Sequence, residues 1–259
     1  IDNSKENLEK SKQLKLGNIY NLEISKEIEE SKLIFICTPI SAYEHIFKIL
    51  NKFDLPNVII SDVGSSKVKV INLAESILKD KIFVPGHPIA GTEKSGPESG
   101  FKNLFKDKWF ISTNCKLCTK KNLEFINSIW RKFGSKAITM KSKDHDSIMA
   151  ITSHIPHLIA YNIVGTASEL EENIKSEVIK FSASGFRDFT RIASSDPVMW
   201  RDIMLSNKDE IISLFKKFDN DLKQILDAIK KDDGEFLVKK FSKTREIREK
   251  IIEAGLDKN

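Results

Sequence analysis

The sequence predicts an α/β domain built on a doubly wound parallel sheet, followed by an all-α domain. Over residues 1–141, short apolar runs alternate with segments of helical periodicity, which is typical of βαβ units. From residue 142 onward, apolar residues recur at three- and four-residue steps, and no convincing strand pattern follows. We therefore place the domain boundary near residue 141, which gives domains at 1–141 and 142–259.

Five short segments of the first domain have the composition of strands. Residues 33–37 form a continuous apolar run ended by Thr38-Pro39, the pattern of a parallel strand buried on both faces. The other predicted strands are residues 58–60, 82–84, 109–113 and 136–140, with the last at a sheet edge. Predicted helices are residues 3–16, with Ser4 as N-cap and Gly17 as stop, 42–50, 66–78 and 122–133, which Gly134 ends.

The second domain is predicted to be a helical bundle. A long helix begins at Ser142, and Pro156 should kink it because proline lacks a backbone donor. Another helix begins at Asp196-Pro197, and the last covers residues 236–252. The helix between these two carries a narrow apolar stripe: Ile211, Leu214, Phe218, Leu222, Ile225 and Ile229. Because one chain does not supply enough cover for such a stripe, a homodimer is expected.

Composition excludes several classes of protein. Of 259 residues, 40% are hydrophobic and 31% are charged, as in a soluble globular protein. No uncharged apolar run approaches the ~20 residues that span a bilayer, so no membrane partner is expected. Lys and Glu are interspersed in the net charge of +5, which leaves nucleic-acid binding unsupported but suits a small anionic substrate. Three Cys and no secretory signal favour the cytoplasm.

The most informative segment is residues 86–100, which follows the predicted strand 82–84. Its four Gly and two Pro forbid a regular helix, so a loop is predicted. The segment nevertheless carries several polar side chains: His87, Thr92, Glu93, Lys94 and Ser95. A polar loop directly after a strand lies where open α/β sheets bind their ligands. We therefore expect a ligand-binding loop here.

Four blocks of sequence, in one order along most of the chain, form a specific signature. They are Asp-Val-Gly-Ser-Ser-Lys at 62–67, His-Pro-Ile-Ala-Gly-Thr-Glu-Lys-Ser-Gly-Pro at 87–97, Ser-His-Ile-Pro-His-Leu-Ile-Ala at 153–160 and Gly-Phe-Arg-Asp-Phe-Thr-Arg-Ile-Ala at 185–193. This set resembles the prephenate/arogenate (cyclohexadienyl) dehydrogenase family. The resemblance implies a Rossmann-type domain, a helical dimerisation domain and NAD-dependent oxidative decarboxylation of prephenate or arogenate in tyrosine biosynthesis.

The resemblance assigns the chemistry to two side chains. His87 is implied as the acceptor of the substrate hydroxyl proton, because a neutral imidazole can take up a proton near physiological pH. Ser65 follows a predicted strand and a Gly. Its hydroxyl is therefore expected to bridge the nicotinamide ribose and the substrate hydroxyl.

The resemblance also implies two substrate arginines. Arg191 is the main one, because a planar guanidinium grips a carboxylate with two hydrogen bonds. Arg187 either reaches into the partner subunit's site or is a solvated residue in an ion pair with Asp188. The two arginines share a helix face if residues 185–193 are helical.

Further residues are implied to line the substrate pocket. His157 is the preferred substrate contact and His154 its neighbour, although their spacing also permits core packing or a metal ion. The sequence shows no third metal ligand nearby, so no metal is expected. Thr92 and Glu93 match wall residues of the family's pocket. Trp200 matches another pocket position, where core packing explains an aromatic residue equally well.

The implied cofactor is NAD. Its predicted contacts are Asp2, Thr38, Pro39, Asp62 and Ser65. The sequence contains no G-x-G-x-x-G motif, the loop that holds the pyrophosphate in dinucleotide-binding domains. If Asp2 is the acid that bonds the ribose hydroxyls, about 30 residues of a first βα unit are expected before Ile1. We therefore expect an N-terminally truncated domain that binds NAD poorly as it stands.

Two other functions stay open on the sequence alone. One is another dehydrogenase with a Rossmann-type and a helical domain, acting on a small hydroxy acid. The other is a non-catalytic or cofactor-deficient family derivative, which the missing glycine-rich loop favours. A cofactor-binding titration separates this derivative from an active enzyme. Prephenate and arogenate differ by a keto or an amino group, and the sequence does not distinguish between them.

Overall fold

The chain forms two compact units, residues 1–211 and 212–259. The computed structural model describes residues 1–91, 95–169, 177, 180–181 and 183–253. Along the sequence, the two units divide after residue 211, whereas the predicted domain boundary lies near residue 141. The difference arises because the first helices after residue 141 pack with the α/β part. Compact packing units and domains are different divisions of a chain, so the predicted domain limits stay a prediction.

A parallel sheet forms the centre of the first unit, as predicted. Its strands are β1 (Leu33–Ile36), β2 (Ile59–Asp62) and β3 (Ile82–Val84), in the order β1-β2-β3. The register pairs Ile36 with Asp62 and Ser61 with Val84, so the carboxyl ends of the strands meet at one edge. That edge is where ligands bind in sheets of this kind.

A second three-stranded sheet follows, and it corrects the prediction of one parallel sheet with a loop at 86–100. Its strands are β4 (Gly86–Pro88), β5 (Trp109–Thr113) and β6 (Lys136–Met140). Strand β4 pairs antiparallel with β5, whereas β5 and β6 are parallel. The pairing depends on Gly86, because a Cβ there would lie 2.5 Å from Cζ of Phe110. Because Gly86 has no side chain, β4 can lie directly beside the buried ring of Phe110.

Gly86→Ala is expected to lower the free energy of unfolding by about 1–3 kcal/mol, since the added methyl group must displace the Phe110 ring. That ring has little room to move, because it stacks on Trp130 with centroids 4.5 Å apart. Gly17→Ala is the matched control, since a Cβ there would have its nearest neighbouring atoms 4.0 Å away. Chemical denaturation of both variants measures the difference. Equal stabilities would contradict this account of β4.

Four helices flank these sheets close to the predicted positions. They are α1 (Lys5–Gln13), α2 (Tyr43–Leu50), α3 (Val68–Ile77) and α4 (Lys120–Lys132). Ser4 caps α1 as predicted, but the helix ends at Gln13, before Gly17. Helix α2 buries Tyr43, Phe47 and Leu50 completely in the core that also contains Ile60 and Phe83. This packing fixes the sheet edge at which the polar loops lie.

The long helix predicted from Ser142 changes its winding before Pro156. It consists of α5 (Ser142–Met149), a π-helical turn (Ala150–His154) and α6 (Ile155–Ser168). Pro156 lies in the first turn of α6, where its missing N–H is tolerated. The π-helical turn thus takes the place of the predicted kink, and such turns are frequent at functional sites.

The remaining described elements are also helical, as predicted. They are α7 (Ser184–Thr190), a 3₁₀ turn (Arg191–Ser194), α8 (Pro197–Ser206), α9 (Lys208–Lys230) and α10 (Gly234–Glu253). Asp196 caps α8 through the N–H of Met199, and Pro197 opens the helix. Within residues 141–169 and 183–253 no strand occurs. The fold class is therefore an α/β domain followed by an all-α domain, as the sequence predicts.

The second unit carries many exposed apolar side chains. Leu222, Leu226 and Ile229 on α9 are 40–54% exposed, and Phe241 on α10 is 54% exposed. An ion pair between Lys240 and Asp221, at 2.9 Å, joins the two helices. Among the described helices, none is both long and apolar enough to cross a membrane.

Candidate active site

A buried carboxylate joins the two loops at the carboxyl edge of the first sheet. Asp62 ends β2 and is fully buried. It accepts hydrogen bonds from Gly64 N and Gly86 N, both at 2.9 Å, and from Tyr43 Oη at 3.2 Å. Its fourth donor is Lys67 Nζ at 2.6 Å. Asp62 therefore holds the loop after β2 against the start of β4.

Lys67 is the buried partner of this carboxylate. Its side chain is fully buried, and Nζ also donates to Gly86 O at 2.6 Å. Burial lowers the pKa of Lys67, and the charge of Asp62 opposes that shift. The pair places the Lys67 amino group against the start of β4, the strand that carries His87.

His87 lies in β4 and is half-buried. Its Nδ1 is 2.9 Å from Nε2 of His145. Burial, followed by the charges of His145, Lys67 and His154, lowers the pKa of His87 well below its usual 6.5. The imidazole is therefore neutral at neutral pH, the state in which it can accept a proton.

His145 and Asp146 are functional candidates that sequence reasoning missed. Both are buried in α5, and His145 Nδ1 lies 2.7 Å from Asp146 Oδ1. The carboxylate also receives backbone N–H groups from Lys67 at 2.7 Å and Val68 at 2.8 Å. One signal was present: two adjacent titratable residues in the first helix after the last strand. Their burial, however, follows from packing that the sequence does not show.

The π-helical turn and α6 place two further histidines against Trp200. His154 is buried, its Nδ1 accepts from Asn207 Nδ2 at 3.1 Å, and burial lowers its pKa to about 4. His157 is half-buried, and its Nδ1 donates to Ser153 O at 2.8 Å. The ring of His157 stacks on Trp200, with centroids 3.5 Å apart. Trp200 is itself buried and so supports the more accessible histidine.

Arg191 lies near His157 and is exposed. Burial, and after it the charge of Arg191, lowers the pKa of His157. Arg187 is exposed on α7, but α7 ends at Thr190 and Arg191 begins a 3₁₀ turn. The two arginines therefore do not lie on one continuous α-helix, because the winding changes between them.

Thr92 and Glu93 lie outside the described residues. The loop resumes at Ser95, beside a cleft of about 600 Å³ whose other wall is the start of α8. The cleft is lined by Ser95, Glu98, Ser99, Ser194, Ser195, Asp196 and Pro197. It is lined by neither His87 nor His157, but Ser194 ends the 3₁₀ turn that begins at Arg191, and Ser195 follows that turn.

The residues at the sheet edge fit one end of a nicotinamide cofactor. Thr38 and Pro39 are exposed after β1, and the half-buried Ser65 hydroxyl has no hydrogen-bond partner among the described residues. The carboxylate of Asp2 bonds Ser4 N at 2.8 Å and Asn7 Nδ2 at 3.4 Å. The hydroxyl groups of Thr38 and Ser65 at this edge can hydrogen-bond a ribose or an amide, which suits the nicotinamide end of the cofactor.

No three His, Cys, Asp or Glu side chains of the described residues converge to hold a metal ion. The polar groups around His87 are engaged with one another instead. Four elements meet there: β4, α5, the loop after β2 and the π-helical turn.

Comparison with known proteins decides the family. Residues 1–139 match the family model described as prephenate dehydrogenase, nucleotide-binding domain, and residues 141–243 match prephenate dehydrogenase, dimerization domain. The chain belongs to the prephenate dehydrogenase family. Cyclohexadienyl dehydrogenase of Zymomonas mobilis is 35% identical over 240 residues, which cover 93% of this chain and 82% of that protein.

Two other prephenate dehydrogenases are similar to this member of the family. That of Bacillus subtilis is 33% identical over 240 residues, covering 91% of this chain and 64% of the longer relative. The crystal structure of the Aquifex aeolicus prephenate dehydrogenase contains hydroxyphenyl propionate and NAD⁺. It superposes with a TM-score of 0.89 at 32% identity, covering 96% of this chain and 87% of that one.

Proposed function

We propose that this protein catalyses the NAD-dependent oxidative decarboxylation of prephenate or arogenate in tyrosine biosynthesis. The observation that carries the proposal is the neutral His87 at the sheet edge, in a chain of the prephenate dehydrogenase family. Relatives that bear the names prephenate and cyclohexadienyl dehydrogenase support it, as does the NAD⁺ bound to a similar structure. Reactions of this kind need a proton acceptor, cations for carboxylates and a dry pocket.

His87 is proposed as the proton acceptor. It takes the proton of the ring hydroxyl while the carbinol carbon loses a hydride, for which bound NAD⁺ supplies the acceptor. The ring carboxylate leaves as carbon dioxide, and its bonding electrons enter the ring, which becomes aromatic. The phenolate oxygen then recovers the proton from His87. The imidazole is thus unchanged after each turnover.

Arg191 and His157 are proposed to bind the substrate. Arg191 is exposed, carries a planar guanidinium and lies near His157, which suits a substrate carboxylate. His157 donates to Ser153 through Nδ1, so its Nε2 remains for the ligand. His154, Thr92, Glu93 and Trp200 stay proposed pocket residues. For His154 and Trp200, the burial supports a contribution through packing.

The cofactor contacts are proposed at the carboxyl ends of β1 and β2. Thr38 and Pro39 would face the nicotinamide half, and Ser65 would bridge its ribose and the substrate hydroxyl. Asp62 would support the cofactor site indirectly, by holding the surrounding loops in place, because all four of its described hydrogen bonds come from protein donors. Asp2 stays a proposed ribose contact, although Ser4 and Asn7 occupy its carboxylate.

The assembly is proposed to be a homodimer formed by the helical domain, residues 142–259. The match to a dimerization domain and the exposed apolar residues of α9 and α10 support it. Arg187 is proposed to reach the partner subunit's site. A cytoplasmic location and the absence of nucleic-acid and membrane partners remain part of the proposal.

Leu222→Glu is expected to weaken the dimer, because a carboxylate would be buried against an apolar face. Sedimentation at micromolar concentration should show a dimer for the wild-type protein and a larger monomer fraction for the variant. Gln224→Glu is the matched control, since it adds the same charge at an exposed polar position of α9. A wild-type monomer under these conditions would refute the assembly.

The function is tested with the purified chain at the highest NAD⁺ concentration that the assay allows, because the sequence has no G-x-G-x-x-G loop and weak NAD⁺ binding is expected. Formation of reduced nicotinamide and release of carbon dioxide should occur with prephenate or arogenate, and not with a simple 2-hydroxy acid. Comparing kcat/KM for the two substrates tells which side chain is preferred. Turnover of a hydroxy acid alone would favour another dehydrogenase. If the chain binds prephenate or arogenate but turns over neither, a non-catalytic derivative of the family is favoured.

A further inference from the structure

We propose that His145 and Asp146 are positioning residues for His87, which fix the tautomer whose Nε2 is free to accept the substrate hydroxyl proton. The proposal rests on the function proposed above and adds two residues that lie outside the four sequence blocks. The observation that carries it is an unbroken line of hydrogen bonds from the N-terminus of α3 to His87, of which the first two are buried and the last is partly buried.

The hydrogen bonds around Asp146 set the direction of this line. Its Oδ1 and Oδ2 each accept a backbone N–H, from Lys67 and Val68. These N–H groups begin α3, where the helix dipole favours a negative charge. An ionised carboxylate only accepts hydrogen bonds and has no proton to donate. The 2.7 Å bond to His145 therefore runs from His145 Nδ1–H to Asp146 Oδ1.

The proton position on His145 then determines which atom donates in the hydrogen bond between His145 and His87. A neutral imidazole has one donor and one acceptor nitrogen, so His145 Nε2 accepts once its proton is on Nδ1. The 2.9 Å contact with His87 must then be donated by His87 Nδ1–H. The only proton of neutral His87 is thus on Nδ1, and Nε2 keeps its lone pair. That lone pair is what a general base needs.

The arrangement requires a neutral His145, because an imidazolium would donate from both nitrogens and reverse the bond to His87. Charged groups face His145 from three elements: Asp146 on α5, Lys67 before α3 and Asp62 on β2. Burial is the largest cause that lowers the pKa of His145, and Lys67 adds to it, whereas both carboxylates oppose it. Around His87, burial comes first, then His145, Lys67 and His154, and all lower its pKa.

Asp146→Asn is the most direct variant. An amide has one acceptor atom and one donor atom, so it cannot keep both backbone N–H bonds of the carboxylate. With its oxygen on Val68 N–H, its nitrogen faces His145 Nδ1 and reverses each proton along the line. His87 would then carry its proton on Nε2 and could not act as a base. We expect kcat to fall by about 10²–10⁴-fold, the range for loss of general-base action or of its orienting carboxylate, with KM nearly unchanged.

A matched pair at His145 keeps the proposal testable should Asp146→Asn misfold. In His145→Gln the amide can donate to Asp146 and accept from His87, so much of kcat should remain. In His145→Met a side chain of similar length makes neither bond, and kcat should fall as in Asp146→Asn. Equal kcat in the two His145 variants would overturn the proposal.

The tautomers can be read directly by nitrogen NMR of the ¹⁵N-histidine-labelled chain, which has five histidines. Wild-type His87 should carry its proton on Nδ1, and Asp146→Asn should move it to Nε2. A wild-type proton on Nε2 would overturn the proposal whatever the activity. So would an unchanged tautomer with KM rising as kcat falls, because that is a merely structural effect. If the wild-type chain turns over neither prephenate nor arogenate, the function fails, but the spectra still decide the hydrogen-bonded line.

Discussion

His87→Asn is expected to lower kcat by about 10²–10⁴-fold, because the variant loses the group that accepts the hydroxyl proton. The fold should persist, since the side chain is half-buried and Asn can keep a hydrogen bond toward His145. Steady-state kinetics with saturating NAD⁺ measure the effect. The wild-type kcat should also show no fall near pH 6.5, because the pKa of His87 lies well below that value.

The matched control for this prediction is His45→Asn. His45 is exposed on α2, so its replacement should leave kcat and KM unchanged. Near-normal turnover by His87→Asn would remove His87 from the mechanism. If circular dichroism shows that His87→Asn is unfolded, the pH profile of the wild-type kcat decides instead. A fall of kcat near pH 6.5 would then indicate a base other than His87.

Arg191→Ala is expected to raise KM for the substrate by roughly 10–100-fold, since hydrogen bonds to charged groups each contribute about 1.5–3 kcal/mol. The contact exists in the ground state and in the transition state, so kcat should change much less. Arg191→Lys should recover only part of the loss, because an ammonium cannot form the paired bonds of a guanidinium.

Arg131→Ala serves as the control for a lost positive charge, because Arg131 is paired with Glu124 on the surface of α4. It should leave KM unchanged. NAD⁺ affinity should be the same in all three arginine variants. If Arg191→Ala weakens NAD⁺ binding instead, Arg191 belongs to the cofactor half of the site.

The regular parts of the fold were predictable because their patterns are local. The strands at 33–36, 82–84 and 109–113 contain consecutive apolar residues, and Ser4 and Asp196 are residue types that favour the first position before a helix. Strand β4 was not predictable, because Gly-His-Pro has no strand propensity. Its pairing arises from the space that Gly86 leaves for Phe110, which lies far along the chain.

In the candidate active site, too, the residues of local sequence motifs were predictable, and the contacts between distant parts of the chain were not. His87 and Arg191 stand in motifs that resemble a family, so their positions could be proposed from sequence. The line through His145 to Asp146 could not, because it depends on α5 packing against the start of α3. Nor could the burial of Asp62, whose place at a strand end predicts a ligand contact, whereas its described partners are protein groups.

The buried histidines also have a consequence for behaviour in acid. Burial holds the folded-state pKa of His87, His145 and His154 below 6.5, so the unfolded chain binds protons that the folded chain does not. Their contribution to stability is complete above about pH 6.5 and declines as the pH falls, for His154 until about pH 4. Acid inactivation should therefore be a loss of the whole α/β core, with activity and tertiary structure disappearing together.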